Sequence, residues 1–176
     1  KADEPSVVFA GEYGGYISVH DESTGSTRNV PILPWDASGH GAAALRYRFQ
    51  WTAPIAVSPF DPNELYHGAN VLFRSRDRGA TWQAVSTDLT RNDPAKQQWS
   101  GGPITGDNTG VEVYDTIFSI ALAPGDPGTI WVGTDDGLVQ VTRDGGATWK
   151  NVTPNGLAEC LVNAIEVSPI GKGTAY

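Results

Sequence analysis

The chain has 176 residues with 20 acidic against 12 basic side chains, a net charge of -8. That length suits one ordinary domain, and the absence of a basic stripe or a long apolar run excludes nucleic acid and membrane insertion as expected partners. The 21 glycines and 12 prolines point to many short strands joined by turns, while 6 Trp, 6 Tyr and 5 Phe are too many for a disordered segment.

In chain order, Ser6–Gly11 reads as a short strand, Glu12-Tyr13-Gly14-Gly15 as a turn, and Tyr16–His20 as a second strand by alternation. Asp21–Gly25 follows as a polar turn, and Arg28-Asn29-Val30 opens an outer strand. Residues 34–52 break the pattern: Pro34–Gly41 is loop, Ala42–Arg46 a single helical turn, and Tyr47–Trp51 alternates aromatic and basic side chains. Four short strands are expected over 53–87, then a long connection over 88–116, then four strands again over 117–153. A connection of that length inside a compact domain usually binds or caps something. Asn163–Pro169 opens one more copy, and Cys160, beside Leu161 and Val162, reads as a buried small hydrophobe.

The copies are tied together by a repeated turn. Ser75-Arg76-Asp77-Arg78-Gly79-Ala80-Thr81-Trp82 recurs as Thr142-Arg143-Asp144-Gly145-Gly146-Ala147-Thr148-Trp149, a hydroxyl-x-Asp-x-Gly-x-Thr-Trp pattern. Asp77 and Asp144 can accept bonds from their own loop, Gly79 and Gly146 can take a positive φ, and Trp82 and Trp149 supply a large apolar cover. Pro59–Pro124 and Tyr66–Trp131 share one interval; Asp77–Asp144 and Trp82–Trp149 share one two residues longer. The slip falls in the hairpin between second and third strands, where insertion costs least.

A four-stranded unit that repeats its turn buries both faces by stacking on its neighbours, and radial stacking gives an all-β propeller. The expected blades are 5–33, 53–87, 117–153 and the start of another at 161–176, with insertions 34–52 and 88–116. Propellers need roughly four to eight blades, so the chain reads as part of a larger ring completed by remaining blades or another chain. Up-and-down topology puts Asn70, Asp135 and Asp136 on the same face as both insertions, opposite the repeated turns.

That face holds the candidate chemistry. Asp107, Glu112 and Asp115 are the candidate catalytic carboxylates, since glycoside hydrolysis needs two across the scissile bond. Asp36 and His40 stand on the neighbouring insertion. Trp35, Trp51 and Trp99 can stack on sugar rings, and Arg46 or Arg48 can pair with an anion or with an internal carboxylate. Asp135-Asp136-Gly137 reads as a hairpin turn, because it lacks the oxygen-ligand series of a calcium loop. No metal and no cofactor is expected. Asn151-Val152-Thr153 fits a glycosylation acceptor.

The repeated turn resembles the Asp-box, or bacterial neuraminidase repeat. With Gly11–Gly15, Tyr47–Pro54 and Trp99–Tyr114, it makes nearly the whole chain similar to extracellular or periplasmic neuraminidase-repeat glycosyl-hydrolase-like proteins. These are related to the sortilin-type propeller and, more distantly, to xyloglucanases. The resemblance implies a secreted or periplasmic propeller. Its sialidase branch would bring an arginine triad and a tyrosine–glutamate pair, which these blades do not match. The sortilin likeness implies peptide or protein binding, and the xyloglucanase likeness implies catalytic aspartates, with Asp107 the nearest match. A binding or scaffolding module for protein or glycan is the favoured expectation, and a polysaccharide hydrolase the alternative.

Overall fold

The computed structural model of the chain describes residues 7–171 and 173–176. Pro5 and Ser6, the start of the first expected blade, lie outside them. Three antiparallel sheets follow one another in sequence. The first has the order β1 (Val7–Gly11), β2 (Ile17–Asp21), β3 (Ser26–Asn29). The second runs β4 (Ile55–Val57), β5 (Leu65–Gly68), β6 (Leu72–Ser75), β7 (Gln83–Ala84). The third runs β8 (Ile117–Leu122), β9 (Ile130–Thr134), β10 (Val139–Thr142), β11 (Lys150–Asn151).

Backbone register shows how the first sheet relates to the others. Val30 donates its amide to the Ile17 carbonyl as Val85 does to Leu72 and Val152 to Val139. β1, β2 and β3 therefore correspond to the second, third and fourth strands of the complete sheets. The next unit begins in the same way: Ser168 donates to Thr174 as Ser58 does to Glu64 and Ala123 to Thr129, and Glu166 and Tyr176 exchange both backbone bonds.

The apolar core lies between sheets, as stacking of two-faced units requires. Ile17, Val19 and Val30 of the first sheet pack with Ile55 and Trp82 of the second. Tyr66, Leu72, Val85 and Leu89 pack with Ile117, Ile130 and Val132 of the third. A third cluster of Phe49, Ala69, Val71 and Phe73 draws the 34–52 insertion onto the second sheet. Gly15, at φ 81, leaves the room Phe49 needs; a Cβ there would stand 2.4 Å from the ring.

The repeated turn between third and fourth strands has the same bonds in both copies. Asp77 Oδ1 accepts from the Thr81 amide at 2.8 Å, its Oδ2 accepts from Thr81 Oγ1 at 2.6 Å, and Ser75 Oγ accepts from the Gly79 amide at 2.8 Å. Thr142, Asp144, Gly146 and Thr148 repeat these bonds at 2.6 to 2.9 Å. The side-chain bond from Thr81 or Thr148, followed by the backbone bond, holds Asp77 and Asp144 down to about 2. Each tryptophan leaves its own sheet: Trp82 Nε1 donates to the Val30 carbonyl at 3.0 Å, and Trp149 Nε1 to the Val85 carbonyl at 2.9 Å. The turn thus staples each sheet to the one before it.

Cys160 corrects a sequence expectation. It is exposed, because 154–164 is irregular rather than strand. Leu161 is also exposed; Val162 alone turns inward, its amide donating to Thr134 and its side chain meeting Gly133. The apolar neighbours Leu161 and Val162 therefore do not draw Cys160 into a core.

Candidate functional site

Both insertions reach the face that carries the hairpins between second and third strands. Arg48 is the anchor of the first. Its amide donates to Asn70 Oδ1 at 3.0 Å, its Nε to the Asp115 carbonyl at 3.1 Å, and its Nη2 to Asp88 Oδ2 at 2.8 Å. Asn70 Nδ2 donates to the same Asp88 oxygen, and Thr90 to the other. Burial pushes the Asp88 carboxyl up, but the bonds from Thr90, Asn70 and Arg48 outweigh it and leave it below the ordinary value. Arg48 therefore pairs internally with an aspartate and is not free for a ligand.

The second insertion is held by three buried aspartates. Asp135 accepts the Thr116 amide and hydroxyl at 2.8 and 2.7 Å. Asp136 accepts the Arg91 amide at 2.6 Å and the Thr134 hydroxyl. Asp115, held at φ 61, accepts Gln97 Nε2 at 2.6 Å, while its other oxygen meets the Asp136 carboxyl and has no protein donor. Burial, first, and then Asp136 raise Asp115 above the usual carboxylate range; burial raises Asp135 to about 6. Asp115 is fully buried. It therefore orders the loop and does not face the surface, unlike the catalytic role considered for it from sequence.

Between the insertions lies a cavity of about 270 Å³ lined by His40, Gln98, Ser100, Asp107, Asn108, Glu112 and Tyr114, among others. Its walls are fixed by backbone contacts across the insertions. Gly39 donates to the Asn108 carbonyl at 2.8 Å and Ala43 to the Gln97 carbonyl at 3.2 Å. Gly110, at φ 79, lets the chain pass so close to Ala37 that a Cβ would stand 2.8 Å from its carbonyl carbon. Trp99 rests on Gly41 and Gly106, where a Cβ on Gly106 would stand 2.7 Å from the indole and one on Gly41 3.2 Å, and is nevertheless 64% exposed.

Two of the three candidate carboxylates, Asp107 and Glu112, line this cavity and are exposed. Among the described residues neither carboxylate accepts a hydrogen bond. His40 lines it as well, with Trp35 tilted against its ring at 5.4 Å. Asp36 is occupied in capping Ser38. Asn108, not singled out in the sequence, has its Oδ1 bonded to the Ser100 amide and a buried Nδ2 without an acceptor. Nothing in the local sequence distinguishes it from an ordinary loop asparagine.

The other candidates are elsewhere. Arg46 is exposed and sits over the Tyr47 ring at 5.2 Å. Trp51 pairs edge-to-face with Tyr13 at 4.7 Å beside a separate cavity of about 640 Å³ with Glu12 and Ile55. At the rim of the first cavity, Lys96 pairs with Glu159, which also accepts the Tyr114 hydroxyl. Among the described residues no group of His, Cys, Asp and Glu is arranged to hold a metal ion, and no helix is long and apolar enough to cross a membrane.

No family model matches the chain. It is 29% identical over 138 residues to an oligoxyloglucan-reducing end-specific xyloglucanase of Emericella nidulans, covering 71% of this chain and 15% of that protein. It is 27% identical over 136 residues to a counterpart from Neosartorya fischeri, again covering 15% of that protein. The solved structure of the Niastella koreensis GH74 enzyme superposes with a TM-score of 0.52 at 16% identity, covering 92% of this chain and 22% of that one. The fold is that of a β-propeller, and the chain is distantly related to xyloglucanases. It spans about one seventh to one fifth of the length of the proteins it matches.

Proposed function

We propose that the chain is part of an extracytoplasmic β-propeller that binds polysaccharide at the cavity between its two insertions. The observation that carries this reading is the pair of exposed, unbonded carboxylates, Asp107 and Glu112, on one cavity wall, with the exposed Trp99 indole nearby, resting on Gly41 and Gly106 next to the lining residues His40, Ala42 and Asp107. A sugar ring offers an apolar C–H face to an indole and hydroxyls that both donate and accept, and these groups match it. The similarity to xyloglucanases favours a neutral polysaccharide of the xyloglucan kind, which also suits the net charge of -8. The repeated turns, of Asp-box type, serve as scaffold, and remaining blades would complete the ring.

Hydrolysis is the second reading, favoured by Asp107 and Glu112 sharing one cavity. Their separation across a bound sugar would fix the stereochemical course. Calorimetric titration with xyloglucan oligosaccharides tests the binding reading. Trp99→Ala should weaken affinity about tenfold, equivalent to about 1.4 kcal/mol, with the thermal midpoint unchanged. Unaltered affinity in that variant, or no binding to any neutral glycan, counts against the site. Reducing-sugar release that disappears in Asp107→Asn and Glu112→Gln would move the assignment to hydrolysis.

A further inference from the structure

Register lays the three sheets on one another, and one position breaks the repeat. Across equivalent second and third strands Phe9 pairs with Val19, Tyr66 with Arg74, and Trp131 with Val141. An aromatic ring is kept in all three sheets, and its partner in the first and third is a buried valine. In the second sheet the partner is a half-buried arginine. The scaffold accepts valine at this position, so the packing of sheet on sheet does not call for the charge of Arg74.

Arg74 also lacks the counter-charge that a half-buried guanidinium needs. Its Nη1 donates to the Gly145 carbonyl at 3.5 Å, and the group lies against the Tyr66 hydroxyl. Both are uncharged oxygens. Among the described residues no carboxylate pairs with it. Glu64 is already committed: Oε1 accepts the Tyr66 hydroxyl at 2.6 Å, and Oε2 meets Arg76 Nε at 3.4 Å. Asp144 keeps its charge, but its oxygens accept bonds from Thr142 and Thr148 within its own turn.

Arg74 lines a cavity of about 910 Å³ between the second and third sheets, whose walls include the turns at 127–128 and 144–147, at the ends of the strands away from the insertions. Arg76, Gln83 and Thr87 line it with Trp149, whose indole N–H is already given to Val85. Gln83 stands opposite Arg74 in register. Among the described residues its amide and the Thr87 hydroxyl are unbonded.

We propose that this groove binds the carboxylate of an acidic sugar, a hexuronate residue of a glycan, with Arg74 as the anion-binding group and Arg76 assisting. A planar carboxylate fits the guanidinium fork and supplies the missing counter-charge. The pair of Arg76 with Glu64 is exposed and weakly held, so Arg76 is free to turn to the same anion. The sugar ring brings hydroxyls for Gln83 and Thr87 and an apolar C–H face for the indole. The groove shares no lining residue with the cavity between the insertions, and its role stands whether or not that cavity takes a glycan.

Calorimetric titration of the chain with a galacturonate oligomer, and with the same oligomer after reduction of its carboxyl groups, tests the site. The acidic oligomer should bind about tenfold tighter than the reduced one, and raising the salt from about 0.05 to 0.5 M should weaken it severalfold. Arg74→Val installs the residue that the other two sheets carry. It should leave the thermal midpoint within about 2 °C or raise it, and lower affinity for the acidic oligomer about tenfold. Arg74→Gln should give the same loss, so that a folding defect in one variant does not decide the matter. Trp99→Ala should leave this affinity unchanged; a loss there would place the oligomer in the other cavity and overturn the proposal. Equal binding of the two oligomers, no binding of either, or unaltered affinity in both Arg74 variants overturns it as well. So does tighter binding of oligoglutamate than of the galacturonate oligomer, which would assign the groove to an acidic protein partner.

Discussion

His67→Gln isolates the electrostatic cost of a single buried ring. His67 lies on β5, 1% exposed, with Nδ1 donating to the Pro54 carbonyl at 2.9 Å and Nε2 without a partner. Its ring stacks on Phe49 at 5.2 Å and lies 6.3 Å from Trp82. Burial, opposed by the Pro54 and Gly15 backbone, pushes its pKa from 6.5 down to about 4. The folded value is depressed, so the unfolded chain takes up the proton first. The stability His67 contributes is therefore fully present above pH 6.5 and is lost as the pH falls towards about 4. The difference in pKa corresponds to a contribution on the order of 3 kcal/mol.

Asp115 and Asp135 act with the opposite sign. Their folded values are raised, so their contribution is present below the ordinary carboxylate value and is lost as the pH rises, for Asp135 through about 6. A single stability–pH curve mixes the two effects; the difference between wild type and His67→Gln removes the aspartates. Glutamine keeps an amide able to donate to Pro54 and carries no titration. In urea unfolding followed by tryptophan fluorescence, the advantage of the wild type should shrink by about 2 to 3 kcal/mol between about pH 7.5 and 4.2. An advantage constant to within about 0.5 kcal/mol would refute a neutral, desolvated ring at this position.

Trp149→Phe removes the donor to Val85 while keeping most of the apolar contact, and chemical denaturation should show a loss of about 1 kcal/mol; Trp149→Ala should cost about 3 kcal/mol or more. Arg48→Met leaves Asp88 and the Asp115 carbonyl without their guanidinium partner, with an expected loss of about 3 kcal/mol or more. Faster amide exchange should follow at 46–50 and 88–92, and Arg48→Met with Asp88→Asn should recover part of the loss. Gly146→Ala forces a side chain into φ 101 and onto the Val85 carbonyl, so calorimetry should show a loss of about 2 kcal/mol or more. Gly125→Ala, where no atom lies within 4 Å, should be neutral within about 0.5 kcal/mol.

The strands were legible because they follow from local alternation and from a turn whose bonding is local. Every donor to Asp77 and Asp144 lies within a few residues, so the motif carries its own geometry. The convergence of the insertions on one face was also legible, since up-and-down topology fixes which connections share an end. The partners within that face were not. Asp115 meets Gln97, Asp136 and Arg48 through side chains from three segments, and no spacing encodes such contacts. Trp51 and Trp99 looked alike in sequence, yet one pairs with Tyr13 and the other lies on Gly41 and Gly106.

What separates a structural carboxylate from an available one here is how many of its lone pairs the fold has already used. Asp77 and Asp144 are exposed, but three or more donors hold each one ionised at about 2, so neither can exchange a proton near neutrality. Asp88, Asp135 and Asp136 are equally committed, to Thr90, Asn70 and Arg48, to Thr116, and to Arg91 and Thr134. Asp115 has an oxygen without a protein donor, but it is sealed against Asp136. Asp107 and Glu112 combine exposure, no protein hydrogen bond and a shared cavity wall. Their acceptors are therefore free for hydroxyl donors from outside the chain. Among the described residues the bonded aspartates are spent on the fold, whereas Asp107 and Glu112 keep unmet acceptor capacity on one cavity wall near the exposed Trp99 indole, and that capacity points to a ligand.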